Sequence, residues 1–126
     1  MKRLLLDTHV LLWWLDGSGL SDAVVARIAD PGELVLVSAA SIWEAGIKAS
    51  LGKLELPGPL GSVVLEEGFE PLPITFDHAE RAGSLPPHHR DPFDRMLVAQ
   101  ALAEGLTLVT HDPAFDPYGV DLLRTS

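Results

Sequence analysis

Lys2-Arg3-Leu4-Leu5-Leu6-Asp7-Thr8-His9 is the stretch that decides the fold. A short apolar run stops on an aspartate, and the residues from Thr8 to Leu15 then take on helical character until Asp16-Gly17-Ser18-Gly19 halts them. Lys2 to Leu6 reads as a strand. Its apolar positions are consecutive rather than alternating, as expected of a strand covered on both faces. The same strand-to-helix unit recurs at Leu34-Val35-Leu36-Val37, which leads into a helix from Ser38 to Ser50 with Ile42, Trp43, Ala45 and Ile47 as its apolar surface.

Working outward, Ser21 to Ala29 reads as a short helix capped by Ser21, and Gly52 to Pro59 as a connection. Leu60 to Gly68 is expected to be helical, Glu70 to Ile74 extended, and Phe76 to Ser84 helical again. Leu85 to Arg90 is an irregular loop, with His88-His89 exposed in it. Pro92 to Glu104 is a strong helix, because Pro92 suits the first helical position and Gly105 closes the end. Leu106 to Val109 is a fourth strand, Asp112-Pro113 opens a turn or short helix, and Val120 to Leu123 is a final edge strand. Strands alternating with helices define an α/β fold around a mainly parallel sheet.

A length of 126 residues suits one domain, taken here as residues 1–126. With 47% hydrophobic and 21% charged residues the chain has the balance of a globular protein. The absence of cysteine excludes disulfides, thiolate metal sites and cysteine nucleophiles. The apolar run before Asp7 is too short for a signal peptide, and no stretch reaches the ~20 apolar residues of a membrane span, so a soluble, cytoplasmic protein is expected. A net charge of −9 argues against a broad basic surface for nucleic acid. It is compatible with a local site that collects divalent cations, or with a basic partner.

In an open parallel sheet, ligands bind beyond the carboxyl ends of the strands. Asp7 follows the first strand and Asp112 the fourth; Glu44 and Asp94 lie in the early turns of helices whose N-termini face the same edge. Four carboxylates are thereby expected on one rim, where mutual repulsion calls for a counter-ion. Mg²⁺ prefers oxygen ligands, and such an ion activates water and neutralises charge on a phosphate. The chemistry indicated is hydrolysis of a phosphodiester. Each acid also has a structural reading: Asp7, Asp91 and Asp112 precede helices as N-caps do, and Ser41-Ile42-Trp43-Glu44 fits a capping box. Asp91 reads as the cap of its helix and Asp94, one turn in, as the ligand.

Arg90 and Arg95 flank the rim as phosphate contacts or surface ion pairs, and Thr8 and Thr110 bring hydroxyls to it or cap local backbone. His9, His88, His89 and His111 show no metal-binding spacing. Trp13, Trp14 and Trp43 lie in apolar helical runs and read as core or interface anchors. No Gly-x-Ser-x-Gly elbow or Gly-rich phosphate loop is present.

Four segments together resemble the PIN-domain superfamily and, within it, the VapC-type toxins of bacterial toxin–antitoxin pairs. They are Leu4-Leu5-Leu6-Asp7-Thr8-His9-Val10-Leu11-Leu12-Trp13, Ser38-Ala39-Ala40-Ser41-Ile42-Trp43-Glu44, His89-Arg90-Asp91-Pro92-Phe93-Asp94-Arg95-Met96-Leu97-Val98-Ala99-Gln100-Ala101 and Gly105-Leu106-Thr107-Leu108-Val109-Thr110-His111-Asp112. The resemblance places the family's acids on Asp7, Glu44, Asp94 and Asp112, the set chosen by the rim argument; the fourth is the most variable in the family. His111 stands where many relatives have arginine. The resemblance implies a three-layer α/β/α sandwich, an endoribonuclease dependent on Mg²⁺ or Mn²⁺, and a homodimer. It further implies an antitoxin that inhibits the enzyme and carries the complex to DNA. Two rival readings are a catalytically silent binding module and a phosphohydrolase using Asp7 as nucleophile. The second lacks the usual companion aspartate, since position 9 is His9.

Overall fold

Five strands form one sheet in the computed structural model, which describes residues 2–125. They are β1 (Arg3–Leu6), β2 (Leu34–Ser38), β3 (Glu70–Leu72), β4 (Thr107–Thr110) and β5 (Leu122–Arg124). Their order is β3-β2-β1-β4-β5, and every neighbouring pair is parallel. Six α-helices connect them: α1 (Thr8–Asp16), α2 (Asp22–Ala29), α3 (Ala39–Ser50), α4 (Leu60–Glu66), α5 (Phe76–Ser84) and α6 (Pro92–Glu104). A 3₁₀ helix spans Pro113–Tyr118.

Successive strand residues point to opposite faces, and both faces are packed. Leu4, Leu6, Val35, Val37 and Val109 join Val10, Leu11, Val24, Ile28, Ala45 and Val64 in one core under α1 to α4. Leu5, Leu36 and Leu108 join Leu97, Val98, Ala101 and Phe115 in a second core under α6 and the 3₁₀ helix. Leu4, Leu5 and Leu6 are fully buried; each contributes about 1.5–3 kcal/mol by leaving water. The result is the three-layer α/β/α arrangement. Among the described residues no helix is long and apolar enough to cross a membrane.

Several ends differ from the sequence reading. The third strand stops at Leu72 rather than Ile74, next to Pro73, which has no N–H for a ladder. Helix α4 ends at Glu66 instead of Gly68, and Gly68 takes a positive φ of 80°. The last strand starts at Leu122 rather than Val120, because the 3₁₀ helix runs to Tyr118 and Gly119 turns the chain with a φ of 71°. The capping box expected at Ser41 and Glu44 does not form. Ser38 caps α3 instead, accepting from Ala40 N at 3.0 Å. Ser41 is then inside the first turn, where its hydroxyl accepts a hydrogen bond from Thr8 at 2.9 Å. A full box forms at α5, where Thr75 and His78 exchange bonds.

The chain builds β1, β2 and β3 outward in one direction and then returns to lay β4 on the other side of β1. Where the order reverses, connections leave β1 and β4 in opposite directions and a crevice opens beyond their carboxyl ends.

Candidate active site

Asp7 and Asp112 stand on the two sides of this crevice, and Thr110 joins them. Its hydroxyl donates to Asp7 Oδ2 at 2.6 Å and accepts from the Asp112 N–H at 3.0 Å. Asp7 is 3% exposed and also caps α1, with Oδ1 accepting from His9 N at 3.1 Å. Asp112 caps the 3₁₀ helix by accepting from Ala114 N at 2.9 Å. The structure thus makes Asp7 and Asp112 caps without removing them from the rim, since each carboxylate oxygen retains lone pairs for another partner.

Asp94 arrives from α6. Asp91 caps that helix, accepting from Phe93 N at 2.8 Å and Asp94 N at 3.2 Å, so the Asp94 side chain is left free of capping. Donor atoms of Asp94, Asp112 and His89 lie within 4.8 Å of one another. Burial first, then the negative charges of Asp91 and Asp7, push the Asp94 carboxyl up from the usual 3.8 to about 7, against a hydrogen bond from His89 that lowers it. Burial also raises Asp7, although its bonds from Thr110 and His9 oppose the shift.

Glu44 stands outside the close group of His89, Asp94 and Asp112. It is buried on α3, which packs against α6, and the neighbouring Trp43 and Phe93 rings meet with centroids 5.1 Å apart. Its Oε2 lies 3.2 Å from Lys48 Nζ, while Oε1 is buried with no hydrogen-bond partner. A buried carboxylate oxygen left alone is costly and is met by water or an ion; Glu33 Oε2 and Gln100 Oε1 are left alone in the same way.

His89 is the residue that the sequence reading left in an exposed loop. Its Nδ1 accepts from Arg90 N at 3.1 Å, so the ring proton sits on Nε2 and is donated to Asp94 Oδ2 at 2.7 Å. The loop is held in place: the Tyr118 hydroxyl accepts from His89 N at 2.8 Å and donates to Pro86 O at 3.0 Å. The sequence signal was faint, a histidine just before an Asp-Pro helix start and five residues ahead of the acid it orients.

Arg95 is spent on the backbone. Its guanidinium donates to the carbonyls of Ala82 (2.8 Å), Leu85 (3.0 Å), Pro86 (3.2 Å) and His89 (3.3 Å), so it ties the loop to α5 and α6. Arg90 is exposed, and Thr8 is buried with its hydroxyl spent on Ser41. Of the tryptophans, Trp43 is 64% exposed, while Trp13 and Trp14 are half-buried.

The set fits a hard divalent cation. Its free donors are carboxylate oxygens, and the charges of Asp91 and Asp7 oppose the ionisation of Asp94; Glu44, outside the close group, has an oxygen without a partner.

A sequence profile of the PIN domain matches residues 4–120. The chain belongs to the PIN-domain family. Ribonuclease VapC22 of Mycobacterium tuberculosis (strain ATCC 25618 / H37Rv) is 35% identical to this PIN domain over 116 residues, covering 89% of this chain and 88% of that one. Among solved structures, VapBC2 from Rickettsia felis, bound to a DNA fragment from their promoter, superposes with a TM-score of 0.74 at 15% identity, covering 98% of this chain and 99% of the other. DNA-bound VapBC from Salmonella typhimurium gives 0.71 at 18% identity with 100% of each chain covered. VapC20 of Mycobacterium tuberculosis, described as a Sarcin-Ricin loop cleaving toxin, gives 0.65 at 15% identity, covering 96% of this chain and 98% of that one. These likenesses agree on the PIN fold.

Proposed function

We propose that this PIN domain is a metal-dependent endoribonuclease that hydrolyses RNA phosphodiester bonds, and that it is the toxin of a toxin–antitoxin pair. The observation that carries the reading is the closeness of Asp94 and Asp112 beside a buried Asp7, with the Asp94 carboxyl pushed up to about 7. A chain gains nothing in stability from such a cluster, so its use lies in what it binds. Likeness to a ribonuclease along most of the chain supplies the substrate class.

Asp7, Asp94 and Asp112 would hold the cation, with Glu44 completing the set directly or through water; Mg²⁺ is the proposed ion and Mn²⁺ its substitute. When bound, the ion lowers the pKa of water and offsets charge on the phosphate. Thr110 fixes the angle of Asp7, and His89 fixes that of Asp94 while leaving its other oxygen free. Glu44 Oε1 is the group to take the proton from attacking water. Arg90, exposed next to the Asp91 cap, is the candidate phosphate contact from the original pair of arginines. A cognate antitoxin, a homodimer, contact with DNA only through the antitoxin, and a cytoplasmic site of action belong to the same proposal. The Rickettsia and Salmonella neighbours, VapBC with DNA, support it.

Incubation of the purified chain with total RNA tests the reading. Cleavage is expected with Mg²⁺ or Mn²⁺, none with chelator, and none from Asp94→Asn of unchanged circular dichroism. Cleavage that survives chelation, or that a folded Asp94→Asn retains, refutes it.

A further inference from the structure

Next to the acids stands a group of rings that the scheme above leaves unused. His9, Trp13 and His111 meet at the rim, with centroid separations of 6.0 Å for His9–Trp13, 5.7 Å for His9–His111 and 4.7 Å for Trp13–His111. His9 and Trp13 are one turn apart on α1 and so share a face. His111 comes from the far side of the crevice, between Thr110 and Asp112. Both histidines are exposed. Gly19 backs the indole so closely that a Cβ added there would fall 2.6 Å from the Trp13 ring. The rings are therefore steadied by backbone on one side and open to solvent at the histidines.

A hollow of about 610 Å³ adjoins them, lined by His9, Trp13, Lys48 and Lys53, with the acids Asp16 and Glu55 also in its wall. Lys48 and Lys53 are two of the chain's three lysines, and they balance Asp16 and Glu55 in the wall of the hollow, in a protein of net charge −9. Two of its lining residues touch the acids: the His9 N–H donates to Asp7, and Lys48 pairs with Glu44. Flat rings beside cationic side chains match one ligand chemistry well, a nucleotide whose base is free of pairing and stacking. A base within a duplex has no free face to offer the rings, and an acidic peptide would engage the lysines alone.

We propose that His9, Trp13 and His111, together with Lys48 and Lys53, form a subsite for one unpaired nucleotide of the RNA adjacent to the scissile bond. The base stacks on the rings and a flanking phosphate meets the lysines, Lys53 foremost because Lys48 is shared with Glu44. The proposal rests on the nuclease reading and adds a requirement to it, that the RNA be single-stranded at this position.

The test is fluorescence anisotropy in an Asp94→Asn background, which leaves the probes uncut, at fixed Mg²⁺. The probes are a short labelled oligoadenylate and an abasic ribose-phosphate oligomer of the same length. His111→Ala, at an exposed position, and Trp13→Leu are each expected to weaken oligoadenylate binding by about 5-fold or more while the abasic oligomer binds as before. Lys53→Ala is expected to weaken both probes alike. Unchanged oligoadenylate binding by both ring variants overturns the subsite, as does an equal loss for both probes. Ring variants that keep RNA affinity but release a co-expressed antitoxin assign the surface to a protein partner and also overturn it. Cleavage of total RNA is measured in parallel with Asp94 restored. A wild type that cleaves, with ring variants that bind and cleave as well as it does, refutes the subsite alone; a wild type that cleaves nothing refutes the nuclease reading instead.

Discussion

Replacing Asp94 by asparagine is expected to stabilise the cation-free protein, and by an amount that grows with pH. The Asp94 carboxyl is raised from 3.8 to about 7 by burial and by the charges of Asp91 and Asp7. Between those values the folded chain binds a proton that the unfolded chain has already released, so stability falls as pH rises through the window. Each unit corresponds to about 1.4 kcal/mol, which gives roughly 3 kcal/mol between about pH 5 and about pH 8. The Asp94 side chain is only 15% exposed, so solvent screening removes a minor part of this. Asparagine carries no charge at either pH and still accepts from His89 through its amide oxygen. Asp7 is present in both proteins, and its own titration largely cancels in the difference. Urea unfolding followed by tryptophan fluorescence, in chelator, measures it. The stability of Asp94→Asn relative to wild type should rise by about 2–3 kcal/mol from about pH 5 to about pH 8. Mg²⁺ added at the higher pH should then stabilise the wild type and leave the variant unchanged. A difference that stays flat with pH, or narrows, shows that the folded chain does not hold Asp94 neutral and removes the electrostatic argument for a cation site.

Three further substitutions probe the supports of the site. Thr110→Val keeps the shape of the side chain but removes the hydroxyl shared by Asp7 and the Asp112 N–H; a loss of about 1–3 kcal/mol in urea and at least a ten-fold fall in cleavage rate are expected. Arg95→Ala frees four carbonyls and should cost about 2–3 kcal/mol, with amide exchange accelerated from Leu85 to Arg90; Arg95→Lys, lacking the planar fork, should restore little of it. Gly19→Ala sets a methyl against the Trp13 ring at a φ of 78°. A loss of about 1–3 kcal/mol is expected there, read as a lower urea midpoint together with a changed tryptophan emission.

The parts of the fold legible in the sequence are those whose cause is local. Leu4 to Leu6 form a strand because consecutive apolar residues are buried on two faces, and Asp7, Asp91 and Asp112 start helices because their carboxylates reach the next free N–H groups. Asp94 and Asp112 could be brought to one rim with Asp7 because strand ends and helix starts share an edge in a parallel sheet, whereas Glu44 stands outside their close group. What escaped depends on distant partners. His89 is ordered by Tyr118, 29 positions away, so only the faint signal of the Asp-Pro helix start that follows marks it off from an exposed loop. Arg95 read as a phosphate contact or a surface ion pair because its true partners are backbone carbonyls, which have no residue signature. Ser41 resembled a cap but answers to Thr8, 33 positions earlier.

The hydrogen bond between Thr110 and Asp7 spans 103 positions of sequence. Asp7 leaves a ribosome making this chain long before Thr110 and Asp112 do. Until β4 has docked beside β1, the growing chain has no Thr110 to hold Asp7 and no Asp112 to stand beside Asp94. Loop closure of this length is slow relative to helix formation. A nuclease built this way is inert until β4 has been made and docked, while it lies next to the RNA of the machine that makes it. Truncation anywhere before β4 should therefore yield a harmless product.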